Sequence, residues 1–284
     1  MLSDVPCPDL RPSGLPPAGR ADPDGPTYTE CMITCALQSG SNGNSIYVET
    51  DGIRLLFDAG ISGRQAATRL ASHGRNIRRV DALVLSHLHA DHTRCAGVYQ
   101  RLFRLPVYAT PATARAMARG LGRSPDVRPF RPGDTLEFGD VRVHTLPTPH
   151  DAADSVAFVI EHGDKRLGVL TDLGHPFAAL VRTLPSLNAV YLESNYDPQM
   201  LALGSYPPEL KTRIRGAAGH LSNDEAAALL AGCDRRRLRW AALAHLSEEN
   251  NHPDVALRTH RSILGDDFPL TVASRYRVSE LLHV

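Results

Sequence analysis

Residues 86–92 read Ser86-His87-Leu88-His89-Ala90-Asp91-His92, directly after the apolar stretch Val80-Asp81-Ala82-Leu83-Val84-Leu85. That stretch predicts a buried strand over 80–86. Alternation along an extended backbone puts His87 and His89 on one side, about 7 Å apart. Asp91 and His92 then fall where the chain turns toward a helix predicted over 96–103. Imidazole nitrogens joined by a carboxylate suit zinc and related first-row divalent ions. A polar helix start with Asp91 as its cap is the plainer reading, but it leaves three histidines without a reason. Four donors within six residues point to a metal site.

Four ligands rarely suffice for two metals, so further donors are expected at other strand ends. Three positions qualify. Thr148-Pro149-His150-Asp151 follows a strand predicted over 141–146, Leu170-Thr171-Asp172-Leu173-Gly174 closes one over 166–171, and Ala244-His245-Leu246-Ser247 closes one over 240–244. Each alone reads as a turn or cap residue. Behind a four-donor motif, His150, Asp172 and His245 complete a set. Other strands are predicted over 32–38, 45–49, 54–58, 106–109, 135–138, 155–161, 189–193 and 270–273, with a tight turn at Asp51-Gly52. Helical spacing marks 64–72, 112–119, 177–184, 224–233 and 254–264. Two groups of strands, each finished by helix–strand alternation, predict an α/β fold of two packed sheets covered by helices.

The 284 residues allow one large domain, and no linker interrupts the pattern after residue 30, so a single domain over 28–284 is expected. Residues 1–27 hold 7 of the 21 prolines and no apolar period, which predicts a disordered leader. With 31 Lys+Arg against 31 Asp+Glu, a polybasic nucleic-acid coat is excluded. No apolar run reaches the roughly 18 residues of a membrane span, and no charged-then-apolar signal pattern opens the chain. Five cysteines without framework spacing fit a reducing cytoplasm. Thirteen histidines are a generous supply, and the motif accounts for the surplus.

In chain order, His87, His89, Asp91, His92, His150, Asp172 and His245 spell HxHxDH…H…D…H, and over about residues 31–275 the chain resembles the metallo-β-lactamase-fold hydrolases. The resemblance implies a four-layered αβ/βα sandwich with the site along one edge of the sheets. It implies two divalent metal ions, zinc first, with manganese or iron as alternatives. His87, His89 and His150 would hold one, Asp91, His92 and His245 the other, with Asp172 bridging. Four further segments are similar to the WalJ/YycJ-type branch: Ser39-Gly40-Ser41-Asn42-Gly43-Asn44, Leu192-Glu193-Ser194-Asn195-Tyr196-Asp197, Gly219-His220-Leu221-Ser222-Asn223 and Ala244-His245-Leu246-Ser247-Glu248-Glu249-Asn250-Asn251. That branch is described as having DNA exonuclease activity and is similar to cyclic-phosphate phosphodiesterases. One departure is visible, since Tyr196 stands where the branch has a histidine.

Two divalent ions about 3.5–4 Å apart can share a hydroxide and clamp the oxygens of an in-line displacement. The expected reaction is attack of that hydroxide on the phosphorus of a phosphodiester, with DNA or a nucleotide-type phosphodiester as substrate. The leaving alkoxide needs a proton, and His220 is the expected donor, with Asp91 as ligand and proton partner at once. Ser222 and Glu225 have capping-box spacing, which sets His220 just ahead of a helix whose positive end favours phosphate. The related phosphodiesterases use a histidine at this place as general acid. Asp58 fits either a carboxylate that orients a ligand histidine or a plain turn residue, and the Ser41/Asn44 loop either a substrate-facing turn or an ordinary one. Lys211-Thr212-Arg213-Ile214-Arg215 and Arg235-Arg236-Arg237 with Arg239 suit a nucleic-acid backbone or a solvated helix end. Cys31, Cys35, Cys95 and Cys233, like Tyr191 and Tyr196, read as packing residues. Ester or thioester hydrolysis on the same metals is the competing expectation, and the Gly-His-Leu-Ser-Asn and Leu-Glu-Ser-Asn segments stand against it. A silent binding module would show broken donors, and none of the seven is broken.

Overall fold

The computed structural model describes residues 31–118, 120, 121 and 126–284. The leader expected over 1–27 lies outside the described residues, as does position 119 of the helix expected over 112–119. The first half of the described chain gives β1 (Met32–Gln38), β2 (Ser45–Thr50), β3 (Arg54–Phe57), β4 (Ala82–Val84), β5 (Val107–Ala109) and β6 (Val127–Pro129). The second gives β7 (Thr135–Phe138), β8 (Val141–Pro147), β9 (Val156–His162), β10 (Lys165–Leu170), β11 (Ala189–Glu193), β12 (Trp240–Ala244) and β13 (Leu270–Val272). A short last strand, β14 (Leu282–His283), returns to pair with β1, so each sheet has seven strands.

Helices α1 (Gly63–Ser72), α2 (Ala90–Thr93), α3 (Ala96–Phe103) and α4 (Pro111–Met117) belong to the first half. Those of the second are α5 (Ala178–Thr183), α6 (Pro198–Leu203), α7 (Pro208–Arg215), α8 (Asn223–Ala231) and α9 (Pro253–Leu264). The apolar residues sort into three bodies that define four layers. Met32, Phe57 and Val84 from the first sheet meet Phe158, Val169 and Tyr191 from the second, with the Phe57 and Phe158 ring centroids 5.0 Å apart. Burying each such side chain contributes roughly 1.5–3 kcal/mol. Leu56 and Leu83 on the opposite face of the first sheet pack under α1 and α3, and Leu192 and Leu243 pack under α5, α8 and α9. Ala66 and Leu70 of α1 are buried four residues apart, and Ser62 with Gln65 closes a capping box at its start. This is the four-layered sandwich expected from the sequence. Among the described residues no helix is long and apolar enough to cross a membrane.

Strands β3 to β6 run parallel, as do β10 to β13. Parallel strands put their carboxyl ends at one edge, and that edge carries the donors. The strand expected over 80–86 is shorter than predicted. A single tight helical turn, Ile77–Arg79, precedes it, and beyond Val84 the Ser86 amide is taken by the Asp58 carboxylate at 2.8 Å instead of the ladder.

Candidate metal centre

The loops leaving β3, β4, β8, β10, β11 and β12 bring Asp58, His87, His150, Asp172, Glu193 and His245 to one place. His89 is the N-cap of α2 and makes no side-chain cap bond, so Asp91 and His92 enter that short helix as its first turn. Asp91 is therefore not a cap. It faces Asn44, His92 and His245.

All seven predicted donors converge. His87 Nε2 lies 3.0 Å and His150 Nε2 3.2 Å from His89 Nδ1. Asp91 Oδ2 lies 3.4 Å from His92 Nε2 and 3.9 Å from His245 Nε2. Asp172 stands between the two groups, its Oδ1 3.3 Å from His245 Nε2 and 3.6 Å from His150 Nε2, its Oδ2 3.2 Å from His92 Nε2. His87/His89/His150, Asp91/His92/His245 and His87/His92/Asp172 each offer donor atoms within 4.8 Å of one another.

Neighbouring groups orient the rings. His92 donates Nδ1–H to Asp58 at 2.7 Å and His150 donates Nδ1–H to the Gly219 carbonyl at 2.9 Å. His87 Nδ1 is 2.9 Å from Ser86 Oγ, which itself donates to Asp58, and His245 Nδ1 is 3.3 Å from Asn44 Oδ1. With Nδ1 committed in each case, the Nε2 lone pair is aimed inward. Asp58 is thus an orienting carboxylate for His92, the first of the two readings its sequence allowed. Asn44 is the link between the turn at residues 40–44 and the donors.

Several imidazole lone pairs pointing at one another and at a buried carboxylate repel unless a cation lies among them. Asp172 Oδ2 is buried and has no hydrogen-bond partner among the described residues. Burial, with His92 beside it, drives the His87 pKa well below the usual range, and burial lowers His245 as well. Burial would also lower His92, but Asp172, Asp58 and Asp91 raise it well above. Such a donor set fits divalent cations by both its ligand types and its unmet charge.

The backbone is shaped for this as well. Of the five non-glycine residues with positive φ among the described residues, Asp58, Asp172 and His245 are at the centre. Left-handed backbone turns each of these side chains sharply off its strand. Gly60 lets two loops touch, since a Cβ there would stand 1.7 Å from the Asp91 carbonyl.

His220 lies at the rim, its ring centroid 5.0 Å from that of His150 and 5.3 Å from that of His245. Its Nδ1 is 3.9 Å from Asp172 Oδ1 and donates to Glu193 Oε1 at 2.6 Å. Burial alone would lower its pKa, but Glu193 carries it up to about 8. Glu193 is fully buried and its Oε2 accepts the Leu173 amide at 2.8 Å. Sequence reasoning missed this residue. The available signal was a carboxylate at the end of the otherwise apolar strand Ala189–Glu193. The helix expected after His220 is α8, with the expected Ser222/Glu225 capping box. That box uses the end amides, and Asp224 and Glu225 make the first turn acidic, so the loop presents His220 rather than a bare positive helix end.

The other branch-like segments form a buried asparagine network. Asn251 Nδ2 donates to Ser194 O, Asn195 O and Asn223 Oδ1 at 2.9, 3.0 and 2.9 Å, and Asn195 Nδ2 donates to His245 O at 2.8 Å. They tie the ends of β11 and β12 to the start of α8. Tyr196 is buried beside this network, pairs through its backbone with Ser222, and has its pKa pushed up to about 12 by burial. Tyr191 is buried between the sheets. Cys35 is buried, whereas Cys31, Cys95 and Cys233 are only partly so. Of the basic clusters, the one on α7 adjoins the centre, where Arg213 pairs with Asp151, which itself lies 3.4 Å from His150 Nε2. The cluster at 235–239 lies at the other end of the second sheet.

A family model described as the metallo-beta-lactamase superfamily matches residues 39–210. The chain is 35% identical over 230 residues to the exodeoxyribonuclease YycJ of Bacillus anthracis, covering 80% of this chain and 87% of that protein. It is also 35% identical over 227 residues to the exodeoxyribonuclease WalJ of Streptococcus pneumoniae, covering 78% and 84%. In fold it is similar to the metallo-beta-lactamase fold protein YhfI from Bacillus subtilis, with a TM-score of 0.70 at 16% identity over 90% of this chain and 100% of that one. With its donors and sandwich in place, the chain belongs to the metallo-beta-lactamase superfamily.

Proposed function

We propose that this protein is a cytoplasmic, metal-dependent phosphodiester hydrolase that removes nucleotides from the end of DNA. His87, His89 and His150 would hold one divalent ion, Asp91, His92 and His245 a second, with Asp172 shared. Zinc is the first choice for imidazole and carboxylate donors, manganese or iron the next. Bound there, such ions supply Lewis acidity toward phosphoryl oxygens and make water a usable nucleophile at neutral pH.

The observation that carries the reading is the Glu193–His220 pair at the rim. An alkoxide leaving from phosphorus is a strong base and needs a proton as the bond breaks, whereas a thiolate departs unaided. Glu193 holds His220 Nδ1, so the ring keeps its proton near neutral pH, with Nε2–H left as the donor. The 35% identity to two exodeoxyribonucleases over most of the chain supports DNA as the substrate. Five cysteines without the spacing of a disulfide framework support a reducing compartment.

The test is turnover of bis-p-nitrophenyl phosphate, a thioester and 5′-labelled single-stranded and duplex DNA by metal-loaded protein. Release of nucleotides from DNA ends is expected. Turnover of the thioester with none of either phosphodiester overturns the assignment.

A further inference from the structure

The parallel strands β10, β11 and β12 have a second end, remote from the metal centre and chemically unlike it. Leu167 is in register with Ala189, and Ala189 with Trp240. The residues one step earlier, Arg166, Asn188 and Arg239, therefore form a row along that edge. The turn before β12 adds Arg236 and Arg237, and these residues line an open groove of about 550 Å³.

Two of the three acidic residues of the groove are paired with basic side chains. Glu161 pairs with Arg142 and Arg166, Asp164 lies 3.5 Å from Lys165 Nζ, and Asp234 accepts the Arg236 amide at 2.9 Å. Among the arginines, Arg237 Nε donates to the Ser186 carbonyl at 2.8 Å, while others have donors left over. Arg166 Nε is buried without a hydrogen-bond partner among the described residues, and Arg236 and Arg239 are exposed. Asn188 Oδ1 accepts the Arg166 amide at 2.8 Å, which leaves its Nδ2 as a donor. In a chain of zero net charge, this concentrates planar cationic donors, whose fork matches phosphate oxygens, around one concave surface.

We propose that this groove binds the phosphate backbone of a nucleic acid, away from the end being hydrolysed. Its connection to catalysis rests on the phosphodiesterase reading above. The groove itself does not. Arg166 and Asp172 are six residues apart, which is roughly 20 Å at about 3.3 Å per residue. One strand of a duplex carries a phosphate about every 3.4 Å, so a duplex that occupies both places spans about six base pairs. A dinucleotide cannot bridge them.

The experiment compares the whole protein with Arg236→Ala/Arg239→Ala and, as a second variant, Arg236→Glu. Binding of labelled 20-mer and dinucleotide DNA is followed by anisotropy in EDTA over a salt series, alongside metal-loaded turnover of bis-p-nitrophenyl phosphate. The double variant should bind the 20-mer about tenfold more weakly, with a salt slope lower by about one unit per arginine. Dinucleotide binding and bis-p-nitrophenyl phosphate turnover should stay unchanged, which also reports intact folding. Unchanged 20-mer affinity and slope overturn the proposal. So does loss of inorganic phosphate binding, read by calorimetry, with DNA binding intact, since the groove would then serve free phosphate. Arginine-dependent DNA binding without any DNA hydrolysis upholds the groove and overturns the nuclease reading instead.

Discussion

His87, His89, Asp91 and His92 leave β4 within six residues, whereas His150, Asp172, Glu193 and His245 each leave a different strand of the second sheet. The first group is set by local means: the single turn of α2, the Ser86 hydroxyl and the Asp58 carboxylate. The second depends on strand register and on an asparagine network joining residues 194–195, 223 and 251. One half of the centre is therefore a local motif. The other is assembled only when the second sheet is complete.

The sharpest way to break this contrast is at the donors themselves. His87→Ala should abolish phosphodiesterase activity and lower metal content measured by mass spectrometry. Full metal occupancy in that variant would remove His87 from the set. His220→Ala should cut kcat by about 10²–10⁴ while both metals stay bound. The pH profile sharpens this prediction. His220 must carry a proton to donate it, so activity should fall as pH rises through about 8. Glu193→Gln removes the charge that opposes burial, so that descent should move to lower pH.

A smaller effect is expected at Asp58. Asp58→Asn leaves His92 without its anionic acceptor and should weaken metal binding by about 10–100-fold in chelator competition. Smallest for activity is Asn251→Ala, which strips the network of one amide. It should lower unfolding free energy by roughly 1–3 kcal/mol in denaturant titration, with the ion expected at His87, His89 and His150 staying bound. Equal loss of both ions would show that the motif at 87–92 is not independent of the network on the second sheet.

The same contrast governs what could be read from the chain. The dense motif at 87–92 was legible because its donors are neighbours, and long amphipathic segments such as α3 and α9 were legible through their period. Helices α6 and α7 were missed. Each begins with proline in a stretch without apolar spacing, and α7 has no buried residue to create a pattern. The two-residue β14 is formed only by pairing with β1 across the whole chain. Asp58 stayed ambiguous because a turn aspartate and a carboxylate facing His92 look alike in sequence. Glu193 escaped because its partner His220 is 27 residues away.

The left-handed backbone at Asp58, Asp172 and His245 also limits how this centre can change. At such φ values Asp, Asn, His and Gly are tolerated, while longer or branched side chains are strained by about 1–2 kcal/mol. Glutamate at 172 or glutamine at 245 would keep an oxygen or nitrogen donor yet face a backbone that rejects them. A library built on ligand chemistry alone would carry that strain as lost stability in each such variant. The practical alphabet at these three positions is closer to four letters than to twenty.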